Sequence, residues 1–529
     1  MGGRSPRAGR SRRPRRYSPL CALCSLCLCV YLVSPSIGSP PKTVGGPVAE
    51  RLTDAQVDLI ARRLSETIGR SGGGPTILGG PVPTDVEIRD GVFATIDDAV
   101  EASGIAFKRL RGQSLDQRRT IISAMRAEMV QQAENLARLA HEETGYGRFE
   151  DKVKKNLLVT HKTPGTEDLE PQAVSGDHGL MLCEPAPFGV IGAITPVTNA
   201  SSTIICNAIG MLAAGNSVVF NAHPGARRVG AATIQALNRA ITAADGPANL
   251  VTCVADPTIQ SAQTLMHHPG IRLLVVTGGP AVVKAAMNSG KRAICAGPGN
   301  PPVVVDETAD IEQAGRDIVL GASFDNNIIC VDEKETIVVD AVADALLDSM
   351  GRQGATVLNR TEVRRLEAVI FNGATTPGQP GTVNRDLIGK NASVILGHIG
   401  ISAGPEVRLV VAEVEAEHPL IWTEQMMPVM PVVRVRDANA AIDLAVRAER
   451  GNRHTAGMYS KHLDNLSRMA READCSIFVK NAPHYAGLAE GGEGHTSFTI
   501  ASPTGEGLTS PRSFSRLRRC SLVDHFRIV

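Results

Sequence analysis

The sequence predicts an α/β protein built on two doubly wound parallel sheets, and three observations carry that expectation. After Pro185, short β-rich runs alternate with helical stretches: 189–194 then 204–214, 217–220 then 226–243, 250–254 then 259–267, 271–276 then 281–288. Such alternation argues for parallel strands covered by helices. A second α/β stretch opens at 303–305 and runs to about Val479. The chain has 529 residues, 43% hydrophobic, which is ample for a buried core and excludes disorder throughout.

Taken in order, the first segment stands apart from that body. Residues 1–16 hold seven Arg and no acid, so the formal net charge of +1 becomes −6 once they are set aside. The body is therefore not of the nucleic-acid-binding type. A fourteen-residue apolar run, 20–33, follows the arginines and is short of the ~20 residues that a membrane span needs. Two readings of the arm at 1–46 stay open: a secretory signal, or a stretch that is not translated, the start lying near Val44 or Val48. Cys21, Cys24 and Cys27 have a ligand-like spacing, but they lie inside the apolar run, and no metal site is expected. Cys29 lies in the same run, and the remaining seven cysteines lack paired spacing, as in a reduced protein.

Within 47–70, Val57, Ile60, Leu64 and Ile68 recur at helical spacing over 52–68, with Arg62, Arg63 and Glu66 opposite. Thr53 and Gln56 can form a capping box, and Gly69 is a stop signal. Residues 71–83 read as a Gly/Pro linker, so the apolar stripe should dock on something else. Further on, helices are expected at 96–106 and 115–143, the second turning Ile121, Ile122, Met125, Met129, Leu136 and Leu139 inward. The chain has no G-x-x-x-x-G-K-[ST] or H-E-x-x-H, no G-x-S-x-G between an expected strand and helix, and no G-x-G-x-x-G after a strand. P-loop NTPase, zincin and α/β-hydrolase readings are disfavoured, and any dinucleotide must bind without the usual glycine fingerprint.

The chemistry concentrates around Cys330, in Asp325-Asn-Asn-Ile-Ile-Cys-Val-Asp. Upstream lie Pro187-Phe-Gly-Val-Ile-Gly-Ala-Ile-Thr-Pro-Val-Thr-Asn199 and Leu212-Ala-Ala-Gly-Asn-Ser-Val-Val-Phe; downstream lies Thr423-Glu-Gln-Met-Met-Pro-Val. In this order the segments resemble the aldehyde dehydrogenase superfamily, over about residues 92–525. Ala296-Gly-Pro-Gly-Asn-Pro-Pro, the Asn-Asn-Ile-Ile-Cys run and the tail from Gly494 resemble its CoA-acylating propionaldehyde/acetaldehyde branch, found in bacterial microcompartments.

The resemblance implies that Cys330 is the nucleophile and that Asn199 stabilises the oxyanion. It also implies that Thr195, Pro196, Asn221, His223, Gly278, Gly279 and Glu424 surround the cofactor, expected to be NAD with NADP open, while coenzyme A is co-substrate. The chemistry stands without the name, because hydride leaves an aldehyde more easily from a tetrahedral adduct, and a thiolate makes that adduct well. Hydrolytic relatives carry a Glu where this chain has Ala296, and Ala cannot act as a base. A thioester should then await the CoA thiol, unless Asp332 or Glu333 substitutes as base.

The expected organisation is a cofactor domain at 84–296, a catalytic domain at 297–480, and oligomerisation elements at 170–186 and 481–529. The resemblance further implies a homo-oligomer, docking of residues 52–68 on a microcompartment shell protein, and a cytoplasmic location inside that compartment. A hydrolytic aldehyde dehydrogenase and an inactive shell-associated scaffold are the rival readings. Trp422 and the Met-rich stretch after Gln425 suggest a small apolar pocket; acetaldehyde, propionaldehyde and lactaldehyde all remain open as the substrate.

Overall fold

The computed structural model describes residues 86–529. The arm at 1–46, the helix expected at 52–68 and the linker at 71–83 lie outside the described residues. Strand β1 (Val92–Phe93) leads to α1 (Ile96–Leu110), α2 (Leu115–Thr144) and α3 (Phe149–Lys162). Thr95 and Ser114 cap the first two by accepting from Asp98 N and Gln117 N, and α2 stops at Gly145, whose φ of 65° suits a residue without Cβ. The sequence pattern did not mark α3, because its inward face is ionic: Asp151, Lys152, Lys155 and Asn156 are all buried.

A hairpin, β2 (Gln172–Gly176) and β3 (Gly179–Pro187), precedes the first alternating run. That run is β4 (Val190–Ile194), α4 (Ala200–Ala213), β5 (Ser217–Asn221), α5 (Arg227–Ala243), β6 (Val251–Val254), α6 (Ile259–His267), β7 (Ile271–Thr277), α7 (Pro280–Met287) and β8 (Ala293–Ala296). Its sheet has the order β1-β6-β5-β4-β7-β8, parallel throughout. Both faces are dry: Ile191, Ala193, Leu273 and Val275 enter one core, while Val190, Ile194, Leu274 and Val276 enter another. This is the period-2 signature of a strand covered on both sides. Strand order reverses between β4 and β7, which opens a crevice at their carboxyl ends.

The second sheet begins at β9 (Pro302–Val305), followed by α8 (Ile311–Ala322), β10 (Glu335–Val339), α9 (Asp340–Arg352), β11 (Ala355–Leu358), α10 (Arg360–Ile370) and α11 (Ala392–His398). Strands β12 (Leu409–Glu413), β13 (Val429–Val435), β14 (Thr455–Tyr459) and β15 (Ile477–Lys480) complete it, with α12 (Ala438–Ala448) and α13 (Leu463–Ala473) between them. The order is β11-β12-β13-β10-β9-β14-β15, again parallel.

The chain then returns to the first sheet. Thr499 Oγ1 lies 3.1 Å from Thr277 Oγ1, and Cys295 N donates to Thr504 Oγ1 at 3.0 Å. After the short pair β16 (Ile500–Ala501) and β17 (Gly507–Leu508), β18 (Ser515–Val523) pairs antiparallel with β3. In the resulting sheet, β18-β3-β2, one edge of β18 is unpaired among the described residues, and Leu517, Val523, Phe526 and Ile528 are exposed. No helix among the described residues is long and apolar enough to cross a membrane.

Candidate active site

The crevice at the strand-order reversal collects residues from separate segments. Thr195 and Pro196 leave β4, Asn221 ends β5, and Gly278-Gly279 leads from β7 into α7. Thr195 is buried and its Oγ1 has no hydrogen-bond partner among the described residues. Gly279 is the N-cap of α7, with no side-chain cap, and a Cβ built there would meet nothing within 4 Å. Unsatisfied helix N–H groups beside open space suit a phosphate. Pro280 occupies the first helical turn, where its missing N–H costs nothing. Asn221 contributes less than its position suggests: its buried Oδ1 accepts from Ser261 Oγ at 2.6 Å. His223 turns back on its own chain, Nδ1 accepting from Gly225 N at 3.1 Å.

The loop that carries Cys330 follows α8. Asp325, Asn326 and Asn327 all have positive φ, 45°, 57° and 64°, a tight turn that Asp and Asn tolerate better than other side chains. Each is fixed from outside. Asp325 accepts from Arg148 N at 2.6 Å, from Lys152 Nζ at 3.1 Å and from Lys155 Nζ at 2.5 Å. Asn326 Nδ2 donates to Gly389 O and Asn391 Oδ1, and Asn327 Nδ2 donates to Ala322 O and Glu333 O. Beneath them the buried Lys334 ammonium donates to Asn327 O, Asn327 Oδ1 and Ile329 O.

On the facing segment, Asn199 is the N-cap residue of α4. Its Oδ1 accepts from Lys155 Nζ at 2.8 Å, and Nδ2 has only a 3.5 Å approach to Thr198 Oγ1. Lys155 thus joins the amide proposed for the oxyanion to the turn that carries Cys330. Glu424 is half-buried, not a surface carboxylate, and accepts from Gly299 N at 3.3 Å. Gly299 backs directly on the cysteine, since a Cβ there would lie 2.8 Å from Cys330 O.

Burial, followed by the charges of Glu424 and Asp332, pushes the half-buried Cys330 thiol up to about 12, against the pull of Lys334. Asp332 is fully buried and its carboxyl is raised well above the usual range by burial. Glu333, pushed up to about 8 by burial, accepts from His484 N and packs its other oxygen against Gly321. Ala296 ends β8, buried, with its carbonyl accepting from Gly278 N at 3.1 Å.

Sequence reasoning missed Lys155, Lys334 and His454. His454 is fully buried, its imidazole pulled down to about 3 by burial and by Lys334; it packs on Gly299, and its Nε2 has no partner among the described residues. The available signal for Lys155 was a helix polar on both faces, 151–156, preceding an apolar Leu-Leu-Val run.

Two doubly wound parallel sheets, with the Cys330 loop tied through Lys155 to Asn199 just after β4, are the architecture of an α/β oxidoreductase. The description "Aldehyde dehydrogenase family" matches residues 86–505, and the chain belongs to that family. It is 53% identical to the acetylating acetaldehyde dehydrogenase EutE of Escherichia coli (strain K12), over 83% of this chain and 94% of that protein. The structure of a propionaldehyde dehydrogenase from the Clostridium phytofermentans fucose utilisation bacterial microcompartment has a TM-score of 0.81 and 47% identity, covering 83% of this chain and 100% of that one. The Rhodopseudomonas palustris propionaldehyde dehydrogenase, solved with bound CoA and an acylated cysteine, has a TM-score of 0.80 and 48% identity, covering 82% and 99%.

Proposed function

We propose that the chain oxidises a short-chain aldehyde to an acyl-CoA: aldehyde + NAD⁺ + CoA → acyl-CoA + NADH + H⁺, through a thioester on Cys330. The observation that carries this reading is a cysteine loop ionically tied to the Asn199 amide, while the end of β8 presents Ala296 in place of a base. Asp332 and Glu333, the alternative bases, are buried and held by Ile329 N and His484 N.

The partnerless Thr195 Oγ1 and the open, uncapped α7 N-terminus fit a dinucleotide. Gly278 and Gly279 would hold its phosphates, Thr195 and Pro196 would line it, and Glu424 would bind its nicotinamide ribose. Asn221 and His223 would meet its adenosine end mainly through backbone, since Asn221 Oδ1 and His223 Nδ1 already hold Ser261 and Gly225. The bound cofactor, NAD or NADP, supplies the hydride acceptor that turns the adduct into a thioester. The chain's own part is to add Cys330 Sγ to the carbonyl carbon and to receive the oxyanion with Asn199 Nδ2 and the Cys330 backbone N–H. The same donors serve again when the CoA thiolate attacks the thioester and expels Cys330.

NADH release with and without CoA tests the reading. A single burst without CoA and steady turnover with it are expected, with the acyl group on a Cys330 peptide by mass spectrometry and lost in Cys330→Ser. Rapid CoA-independent production of free acid, or label on the buried Cys206 or Cys295 instead, would reject it.

The same reading divides the body into a cofactor domain, 84–296, and a catalytic domain, 297–480, with 170–186 and 481–529 serving assembly. The open β18 edge and its exposed apolar residues support docking of a second copy. Residues 52–68 would dock on a shell protein, placing the enzyme in the cytoplasm within a microcompartment. Residues 47–70 fused to a fluorescent protein should enter such a shell, and Leu64→Glu should disperse them; diffuse cargo from the unmutated fusion would refute the docking.

A further inference from the structure

We propose that Lys155 is the positioning residue that sets which end of the Asn199 amide faces the oxyanion, an inference that rests on the oxyanion role given to Asn199. An Asn amide presents an acceptor at one terminal atom and donors at the other, and only the donor end stabilises an oxyanion. An ammonium can donate but never accept. With Lys155 Nζ 2.8 Å from one terminal atom of Asn199, that atom must be Oδ1, and Nδ2 is turned the other way.

Three features show that this contact holds the amide in place. Asn at an N-cap ordinarily gives its side-chain oxygen to the helix N–H groups, whereas Asn199 caps α4 with its backbone carbonyl, which accepts from Thr203 N, and makes no side-chain cap. The oxygen that would have stabilised the helix is committed to Lys155. All three Lys155 donors are used, on Thr198 O at 3.2 Å, Asn199 Oδ1 and Asp325 Oδ2, and the side chain is buried. Nδ2, by contrast, has only its long approach to Thr198 Oγ1 and stays available.

The second anchor of Lys155 matters as much as the first. Asp325 begins the left-handed turn that delivers Cys330, so one ammonium fixes both the amide orientation and the turn's position relative to α4. Lys152 and Arg148 N also hold Asp325, so removal of Lys155 leaves that carboxylate paired. A variant at 155 therefore frees the Asn199 amide without abandoning the loop.

The test is Lys155→Met, read three ways on the full-length protein. The NADH burst should slow by about 10–10²-fold, less than or equal to the 10²–10³-fold typical of deleting an oxyanion donor. Alkylation of Cys330 by iodoacetamide builds no oxyanion and should stay within about twofold of wild type. Lys155→Met combined with Asn199→Ala should be no slower than Asn199→Ala alone, because Lys155 acts through that amide. Lys155→Arg, which keeps a cationic donor, should recover part of the burst rate. If the Met variant does not fold, Lys155→Gln, which accepts either end of the Asn199 amide, takes its place in all three measurements. Losses that multiply in the double variant, or alkylation falling in step with the burst, would overturn the proposal and leave Lys155 a support of the loop. An Asn199→Ala enzyme with an unchanged burst would instead remove the oxyanion reading itself, and this proposal with it.

Discussion

The thiol of Cys330 offers a quantitative test of the site's electrostatics in the free enzyme. With its pKa pushed up to about 12, the thiolate fraction at pH 8 is about 10⁻⁴, against roughly a quarter for an ordinary thiol near 8.5. A more basic thiolate is the better nucleophile, and a Brønsted slope of about 0.45 returns roughly 40-fold over those 3.5 units. Iodoacetamide should therefore alkylate Cys330 some 60-fold more slowly than an unperturbed thiol, with a rate climbing about tenfold per pH unit from 7 to 10 and no plateau. Glu424→Gln removes the carboxylate that most raises the thiol after burial, so its thiol pKa should fall and alkylation at pH 8 should accelerate. Time-resolved peptide mass spectrometry separates Cys330 from the exposed Cys520. A plateau below pH 9, or slower alkylation in Glu424→Gln, would refute this account of the site.

Three further outcomes are expected. Asp325→Asn removes the carboxylate ion-paired with the buried Lys152 and Lys155 and should cost about 3–5 kcal/mol in urea unfolding at pH 7. Burial would raise the Asp325 carboxyl, but the two lysines outweigh it and hold it low; its stabilisation is present above about pH 4 and lost as pH falls through the folded pKa, so wild type and variant should converge in acid. Ala296→Glu should raise CoA-independent NADH release and free acid, by up to about 10²–10⁴-fold if the new carboxylate is well oriented, while CoA-dependent turnover falls; unchanged acid production would show that this buried position cannot orient a base. Deleting residues 516–529 removes most of β18 but not the buried Phe514, and should give a folded chain of smaller mass by light scattering.

What the sequence revealed follows from what each signal depends on. The alternation after Pro185 reflects strands buried on both faces between helices, and it located β4–β7 to within a few residues, with 259–267 read to the residue, while β8 went unmarked. The helix expected from 204 starts at Ala200 because Asn199 caps it through backbone, which apolar periodicity does not register. The pattern failed on α3 for the opposite reason: the inward face it looks for is apolar, and here it carries Asp151, Lys152 and Lys155. The pairing of β18 with β3 joins residues more than 300 positions apart, so local propensity carries no trace of it. Among the residues expected around the cofactor, Thr195 and Gly278 do fall just after strands. Whether a side chain faces the crevice was not legible, because Asn221 is drawn inward by Ser261 on α6, a neighbour that only the fold supplies.

The charged residues around Lys155 share a physical property that explains their place. Asp151, Lys152, Lys155 and Asp325 are buried, and Arg408 joins them from just before β12 by donating to Asp151 and to Ser323 O. Burying that many charges is a poor way to gain stability, since apolar side chains of equal volume usually hold as well or better. What the ions supply is direction: each carboxylate oxygen and each ammonium hydrogen has a defined partner, which an apolar contact does not specify. The two groups proposed to meet at one carbonyl, Cys330 and the Asn199 amide, belong to segments that follow different sheets. Apolar packing alone would let those segments slide by fractions of an ångström, enough to spoil an oxyanion contact of about 3 Å. The ionic seam between α3 and the nucleophile turn removes that freedom, which is why these charges lie between the reacting groups' supports and not at the surface.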